Sequence, residues 1–391
     1  MALEKVEAFL AKQKNSAQGE VADKWQKLEQ LYTKKLWHQL TKEVLTLLSD
    51  ETFSRRLNLK EFYDNFVSEF EHRINCLHLV EICIPVARFL FTTDKPEAFN
   101  FLEKIEKTVA KDKQATIRLH TAQIELRLNN KDQNECCLDI QKVRGMLEST
   151  QKEIDDLVGV TEVHAPFYKM SAVYLKEIGD FAGYYREALR YLGVEDANKL
   201  SFQDKHYQAV LIGFAALLGE NIYNFGELLA HPILKSLDGS QEKWLLDVLY
   251  AFNEGDLNKF YGLERYWGGW PDMKKQKEFL VEKIRLLSIM EIALARPSKE
   301  RNISFGEIAT KAQIETSKVE HLVMKALSKE LIRGAIDQVN QTVHISWVQP
   351  RVLNATQILS MADRISEWCR DVAKMENIVN DNAKEIILTK S

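Results

Sequence analysis

Proline and glycine are scarce in this chain, with 7 and 16 among 391 residues. Long disordered tracts need such residues together with a low apolar fraction. Here apolar residues make up 45% and charged residues 28%, so the composition is globular and the chain is expected to fold almost from end to end. At roughly 100–200 residues per domain, this length predicts two or three units or one elongated array.

An excess of one charge is missing too. Lys and Arg number 53 against 57 Asp and Glu, a formal net charge of -4, so no global field draws the chain to nucleic acid or to an anionic membrane. Proteins are the expected partners. The longest apolar stretch, residues 210–218, has about half the length a bilayer requires and reads as a buried helix, so no membrane span is expected. The opening Met1-Ala2-Leu3-Glu4-Lys5 carries charge at once and lacks the apolar centre of a signal peptide, which predicts a cytoplasmic and nuclear protein. Cys76, Cys83, Cys136, Cys137 and Cys369 are odd in number and without CxxC spacing, as expected of thiols in a reducing compartment.

Signatures of catalysis are equally sparse. No Gly-Lys dipeptide occurs, which removes the phosphate loop that such a dipeptide closes. Gly268-Gly269, the sole glycine pair, lies between tryptophans and reads as a domain junction. His72, Cys76 and His78 come nearest to a metal cluster, but His72 and Cys76 share a helix face that His78 does not, and a fourth ligand is lacking. His120, His164, His206 and His231 sit singly among apolar positions with no elbow-type nucleophile nearby. The expectation is a protein without enzymatic activity, metal or cofactor.

Helical periodicity is what the chain does have. Through the first 270 residues apolar positions recur three and four apart and β-branched alternation is almost absent. Residues 62–91 form one apolar-periodic stretch interrupted by Pro85, where a helix is expected to end and restart; Thr93-Asp94 before Pro96 is a further start signal. Turns at Gly179-Asp180, Gly219-Glu220 and Gly255-Asp256 follow one plan: an apolar helix, a glycine suited to a left-handed cap, an acid, then another apolar helix. Asn129-Asn130-Lys131-Asp132 repeats the plan without glycine. Hairpins at this period predict a tetratricopeptide-like helical-repeat solenoid. In its clearest unit Ala172, Tyr174, Tyr184, Tyr185 and Ala188 are expected to be packing knobs. Around Tyr266-Trp267-Gly268-Gly269-Trp270-Pro271 the helical pattern breaks.

The following residues change grammar. A helix carrying Leu280, Ile284, Leu287, Met290 and Leu294 stops before Pro297. Ser304-x-x-Glu307 and Ser317-x-x-Glu320 read as capping boxes opening two short helices, the first with Phe305, Ile308, Ala309 and Ala312 inward, the second with Val319, Leu322, Val323, Ala326 and Leu327 inward. Strands over 335–339 and 342–348 flank a two-residue loop, Asn340-Gln341, and place Ile336, Val343, Ile345 and Trp347 on one face. Three helices and a β-hairpin make a winged helix. A last helix, near 354–380, repeats Ile358, Met361, Ile365, Trp368, Val372, Met375 and Val379 at alternating steps of three and four, an a/d seam. Seven large apolar side chains, Trp368 central among them, exceed what a module of this size needs to cover itself, so burial against another chain is expected. The hairpin's outer strand, with Ile345 and Trp347, is a second expected interface, through strand addition. The domain plan is therefore 1–165 N-terminal helical repeats, 166–350 a module of repeats (166–270) and winged helix (272–350), and 351–391 the C-terminal helix and tail.

DNA binding is the alternative that a winged helix raises. In the candidate recognition helix, however, Lys318, Lys325 and Lys329 face Glu315, Glu320 and Glu330, and Arg333 and His344 in the wing add little, whereas a phosphate-reading surface needs unopposed cations.

This order of elements resembles the PCI-domain family, found in the proteasome lid, the signalosome and translation initiation factor three. The resemblance is carried by Phe279-Leu280-Val281-Glu282-Lys283-Ile284-Arg285-Leu286-Leu287, Ile303-Ser304-Phe305-Gly306-Glu307-Ile308-Ala309, and Val343-His344-Ile345-Ser346-Trp347-Val348-Gln349-Pro350-Arg351-Val352-Leu353. It implies a non-catalytic scaffold subunit, associating with other PCI-domain lid subunits through winged-helix edges and a bundle of C-terminal helices in support of ubiquitin-dependent degradation. A ubiquitin receptor is a further candidate partner. A nucleic-acid-binding or translation-initiation-factor subunit is the alternative. The metal-dependent deubiquitinase related to these subunits uses paired histidines, and no His-x-His occurs here.

Overall fold

A computed structural model describes residues 2–16, 20–50, 57–130, 136–196, 201–297, 300–352 and 355–388. It is mainly helical and falls into two compact units, residues 1–179 with 186–196, and residues 180–185 with 197–391.

The first unit contains α1 (Ala2–Ser16), α2 (Glu20–Thr33), α3 (Trp37–Ser49), α4 (Leu59–Asn65), α5 (Cys76–Thr93), α6 (Lys95–Val109), α7 (Lys113–Leu128), α8 (Cys136–Asp155) and α9 (His164–Ile178), and takes the later turns of α10 (Phe181–Val194). Its core opens on aromatic rings: Trp25, Phe62, Phe66 and Phe70 are buried, and Trp37 stacks on Phe70 with ring centroids 5.9 Å apart. The expected break at Pro85 does not occur. Asn75 caps α5 by accepting the Leu77 N–H at 2.8 Å, and the helix runs through Pro85 to Thr93. Proline inside a helix costs about 3 kcal/mol, whereas α5 buries eight side chains, most of them large and apolar, each worth roughly 1.5–3 kcal/mol in area bookkeeping. Burial wins. By length and composition α5 also matches a membrane span, but Leu79, Val80, Ile82, Cys83 and Ile84 are among the side chains it buries in the core. The apolar stretch that begins at Phe62 divides instead at residues 66–75, where short 3-10 turns replace the helix.

Helix α7 explains how such an array stacks. Asp112 caps it by accepting the Gln114 N–H at 3.0 Å. Ala115, Leu119, Ala122 and Leu126 join the core of the helices before it, while Ile117 and Ile124 join the next core, with Val143, Leu147 and Phe167. This helix thus contributes to the cores on both of its sides, as stacking in a repeat array requires.

The second unit contains α11 (Phe202–Leu218), α12 (Gly226–Ala230), α13 (Lys243–Glu254), α14 (Leu257–Gly262), α15 (Glu264–Trp267), α16 (Pro271–Lys275), α17 (Lys277–Leu294), α18 (Phe305–Ala312), α19 (Thr316–Ser328) and α20 (Ala355–Leu388). Gly179 and Gly255 end their helices in the left-handed region, with φ of 86° and 64°. Gly219 departs from that plan: it is extended, with φ -68° and ψ 134°. The Asn129 turn holds Asn129 in the right-handed region, and its Lys131-Asp132 lie outside the described residues. The knobs Ala172, Tyr174, Tyr184, Tyr185 and Ala188 are buried.

The winged helix has one strand more than the sequence suggested. Strands β1 (Asn302–Ser304), β2 (Ile332–Asp337) and β3 (Thr342–Val348) form an antiparallel sheet in the order β1-β3-β2. Three residues are too few to show a period, which is why β1 escapes sequence reading. β2 begins three residues before the expected start, and its loop spans 338–341 rather than two residues. Asp337 makes that turn by accepting the Asn340 N–H at 3.0 Å, and Gln341 takes a φ of 54°. Ser304 caps α18 as expected, accepting the Glu307 N–H at 3.3 Å. Ser317 does not cap α19, which starts at Thr316 with Glu315 in the cap position, two residues earlier than expected.

Candidate functional site

Helix α20 outlasts its expected end near residue 380 and reaches Leu388, about 50 Å of helix at 1.5 Å per residue. Its apolar residues recur at three and four, its charged residues Asp363, Arg364, Glu367, Arg370, Asp371 and Lys374 fall between them, and the pattern is that of an amphipathic helix. Ile358, Met361, Ile365, Trp368, Val372, Met375 and Val379 are all exposed, from 48% at Met361 to 69% at Trp368, and Leu359 and Ile378 widen the stripe. Every described side chain from Ile358 to Asp381 is exposed. Among the described residues nothing covers the seam.

Residues 351–352 are fixed firmly. Arg351, whose side chain is 4% exposed, pairs with Glu291 of α17 and donates from Nη1 to the Asn253 carbonyl of α13 at 3.1 Å. Burial holds its guanidinium below the ordinary range. Val352 presses against Gly226, where a Cβ would lie 2.6 Å from the Val352 Cβ. Residues 351–352 are thereby clamped to three helices of the unit.

The wing differs from expectation in the strand it exposes. Ile345 lies in β3, the central strand, is fully buried, and donates its backbone N–H to Arg301 at 3.0 Å. It is a core residue whose ladder donor is already used. Trp347 is half-buried, with the Arg333 guanidinium 4.7 Å from its ring centre. The sheet's edge strands are β1 and β2, the latter bulged between Arg333 and Gly334.

Other candidate groups are engaged in structure. The His164 ring nitrogen Nδ1 accepts the Thr161 N–H at 3.1 Å, His206 lies 3.3 Å from Glu242, and His120 lies between Glu106 and Glu153, 3.7 Å from each. His72 is beside Glu71 at 3.5 Å. Cys83 is buried, and burial pushes its thiol upward, away from the nucleophilic thiolate. Cys76 and Cys369 are free thiols, and the Cys136 and Cys137 side chains lie outside the described residues. In α19, Lys325 pairs with Glu282 at 2.7 Å and Lys318 with Glu315 at 3.4 Å.

The sequence as a whole matches known proteins. Residues 24–249 match the family of PSD13 N-terminal repeats and residues 259–347 the PCI domain. The 26S proteasome non-ATPase regulatory subunit 13 of Dictyostelium discoideum is 36% identical over 375 residues, covering 94% of this chain and 95% of that protein. Homolog B of the same subunit in Arabidopsis thaliana is 38% identical over 369 residues, 92% of this chain and 93% of the relative. The chain belongs to the proteasome non-ATPase regulatory subunit 13 family. A more distant match, to eukaryotic translation initiation factor 3 subunit M of Drosophila ananassae, is 24% identical and covers 45% of this chain and 44% of that protein.

Within the PCI-domain match lies a buried charge whose role no single segment of sequence reveals. Lys283 of α17 is 2% exposed, and its Nζ donates to the carbonyls of Ala216 (2.8 Å), Leu217 (3.0 Å) and Gly219 (2.8 Å) at the end of α11. A lysine between Leu280, Val281, Ile284 and Leu287 was the available signal, since a charge on an apolar face needs buried acceptors.

Proposed function

We propose that this chain is a non-catalytic scaffold subunit of the proteasome regulatory-particle lid, holding neighbouring subunits in place and so supporting ubiquitin-dependent protein degradation. One observation carries the reading: a chain similar along nine-tenths of its length to proteasome regulatory subunits ends in a helix whose apolar seam is uncovered. Its direct partners are other PCI-domain lid subunits, met through the C-terminal helix in a bundle and through the winged-helix edge, and a ubiquitin receptor is a further candidate neighbour. Residues 1–165 extend the array, 166–350 form the PCI module, and 351–391 dock.

No chemical step is assigned to it. Its relatives are named non-ATPase regulatory subunits, and the subunit works in the cytoplasm and nucleus where such complexes act. Nucleic-acid recognition is disfavoured because Lys325 of the candidate recognition helix already pairs with Glu282. Affinity purification of the tagged chain under native conditions, with identification of the co-purifying chains, tests the reading. Stoichiometric recovery of lid subunits is expected, and recovery of translation-factor subunits or nucleic acid in their place overturns it.

A further inference from the structure

A groove of about 600 Å³ lies between α17 and α19. Its floor is apolar: Val281 and Leu322 are buried, and Ile314, in the turn before α19, is half-buried. Its walls carry Lys277, Arg285, Lys318 and Lys325 against Glu278 and Glu282, with His321 exposed on the rim.

The cations are unevenly matched. Lys325 is held by Glu282 at 2.7 Å, and Lys277 turns away to Glu264 at 2.5 Å. Arg285 has no carboxylate among the described residues: its Nε donates to the Ala312 carbonyl at 3.1 Å and its Nη2 to the Gln313 carbonyl at 3.3 Å, at the end of α18. Lys318 has only Glu315, three residues away and equally exposed, and such surface pairs contribute little. Unsatisfied positive charge therefore collects at the Arg285–Lys318 end, beside the apolar floor.

We infer that this groove docks an acidic amphipathic segment of a partner protein. One or two apolar side chains of the segment lie over Val281, Ile314 and Leu322, and its carboxylates meet Arg285 and Lys318. The volume is that of a site taking a few side chains, the two helices offer the shape used for helix-in-groove recognition, and a guanidinium already oriented by two carbonyls suits a carboxylate. A nucleic-acid backbone fits less well, because it has nothing to place on the apolar floor and would bring phosphates toward Glu278, Glu282 and Glu315. The surface is separate from the α20 seam and from the β2 edge, and the inference does not depend on either.

The probe is a fluorescein-labelled amphipathic peptide of ~14 residues, about four helical turns, with leucines along one face and glutamates flanking them. Its anisotropy is followed against the full chain. Saturable binding is expected, weakened at least about tenfold, or 1.4 kcal/mol, by replacing its glutamates with glutamine. The double variant Lys318→Glu with His321→Glu, at exposed positions that leave the core intact, weakens it to the same degree, while Lys104→Glu with Lys107→Glu on α6 does not. Circular dichroism verifies that each variant is folded, and hydrogen exchange with bound peptide slows within 277–285 and 314–325. The inference is overturned by absence of saturable binding up to about 1 mM peptide, or by unchanged affinity in the folded Lys318→Glu, His321→Glu variant. It is equally overturned, in favour of nucleic acid, if a single-stranded poly-thymidine oligonucleotide displaces the peptide and itself depends on Lys318 and His321.

Discussion

The Nζ of Lys283 lies 2.8 Å from the carbonyl oxygen of Gly219 and holds Ala216 and Leu217 in the same grip. The last carbonyls of a helix lack partners within it. A left-handed glycine commonly supplies them with backbone N–H groups, but at the end of α11 an ammonium does so, and Gly219 is left extended. The rings of Tyr223, Phe225 and Phe279 lie within 6 Å of the charge and add cation–π attraction. Helix α17 of the winged helix is thereby fastened to the repeat helix α11 of the same unit.

Replacing Lys283 by Met keeps most of the volume and leaves three buried carbonyls without donors. Each buried polar group so orphaned costs about 1–3 kcal/mol, so the second unit loses about 3 kcal/mol or more. Urea unfolding followed by tryptophan fluorescence reads this as a lower midpoint. A midpoint equal to that of the parent chain refutes the fastening role.

Lys283 also sets a pH dependence. Burial, reinforced by the Lys329 charge, lowers its pKa from the ordinary 10.5 to about 7. The unfolded chain keeps the proton to near 10.5 while the folded chain releases it near 7, so between these limits the unfolded state binds more protons and stability from this group rises with pH. Below pH 7 both states are protonated and the contribution is flat. The rise is at most about 1.36 kcal/mol per pH unit. Unfolding free energies of the parent chain and of Lys283→Met, measured from neutral pH toward pH 10, are expected to diverge in favour of the parent; parallel curves contradict the low pKa.

Gly179 and Gly255 share a left-handed φ but differ in surroundings. A Cβ on Gly179 meets open space, whereas one on Gly255 comes within 2.6 Å of the Ser288 Cα in α17. Gly179→Ala is expected to cost only the backbone term, about 1–2 kcal/mol. Gly255→Ala adds a displacement of α17 and is expected to cost more. Thermal unfolding of the two variants checks the order, and equal losses refute the close approach.

The helices, the winged-helix order and the α20 seam were readable because they rest on local periodicity, which the sequence displays directly. Pro85 misled, since the penalty of a proline is local while the burial that outweighs it comes from distant helices. Ile345 misled for a related reason: an alternating apolar residue identifies a strand, but β1, only three residues long, makes that strand central and removes its edge. Lys283 and the groove beside Arg285 depend on which helices meet. No single-segment pattern contains that information.

The seam of α20 supports the last prediction. Trp368 and Ile365 are 69% and 55% exposed, so replacing both with alanine removes little from the fold of the free subunit. Its unfolding temperature is expected to stay within about 1 °C of the parent's, as is usual for exposed substitutions. In the proposed docking the same two side chains become buried, and at roughly 1.5–3 kcal/mol each by area, less ordering costs, the double variant is expected to lose a large share of the docking energy. Deleting residues 355–391 removes the whole seam and is expected to abolish incorporation into the complex while the remaining chain stays folded. Both outcomes are read by native gel electrophoresis of reconstituted lid and by differential scanning calorimetry of the free subunit. Normal incorporation of the deletion variant means that the seam is not what holds the subunit. A lowered unfolding temperature in the double variant means that the helix belongs to the chain's own core. Either result rejects docking through Trp368 and Ile365.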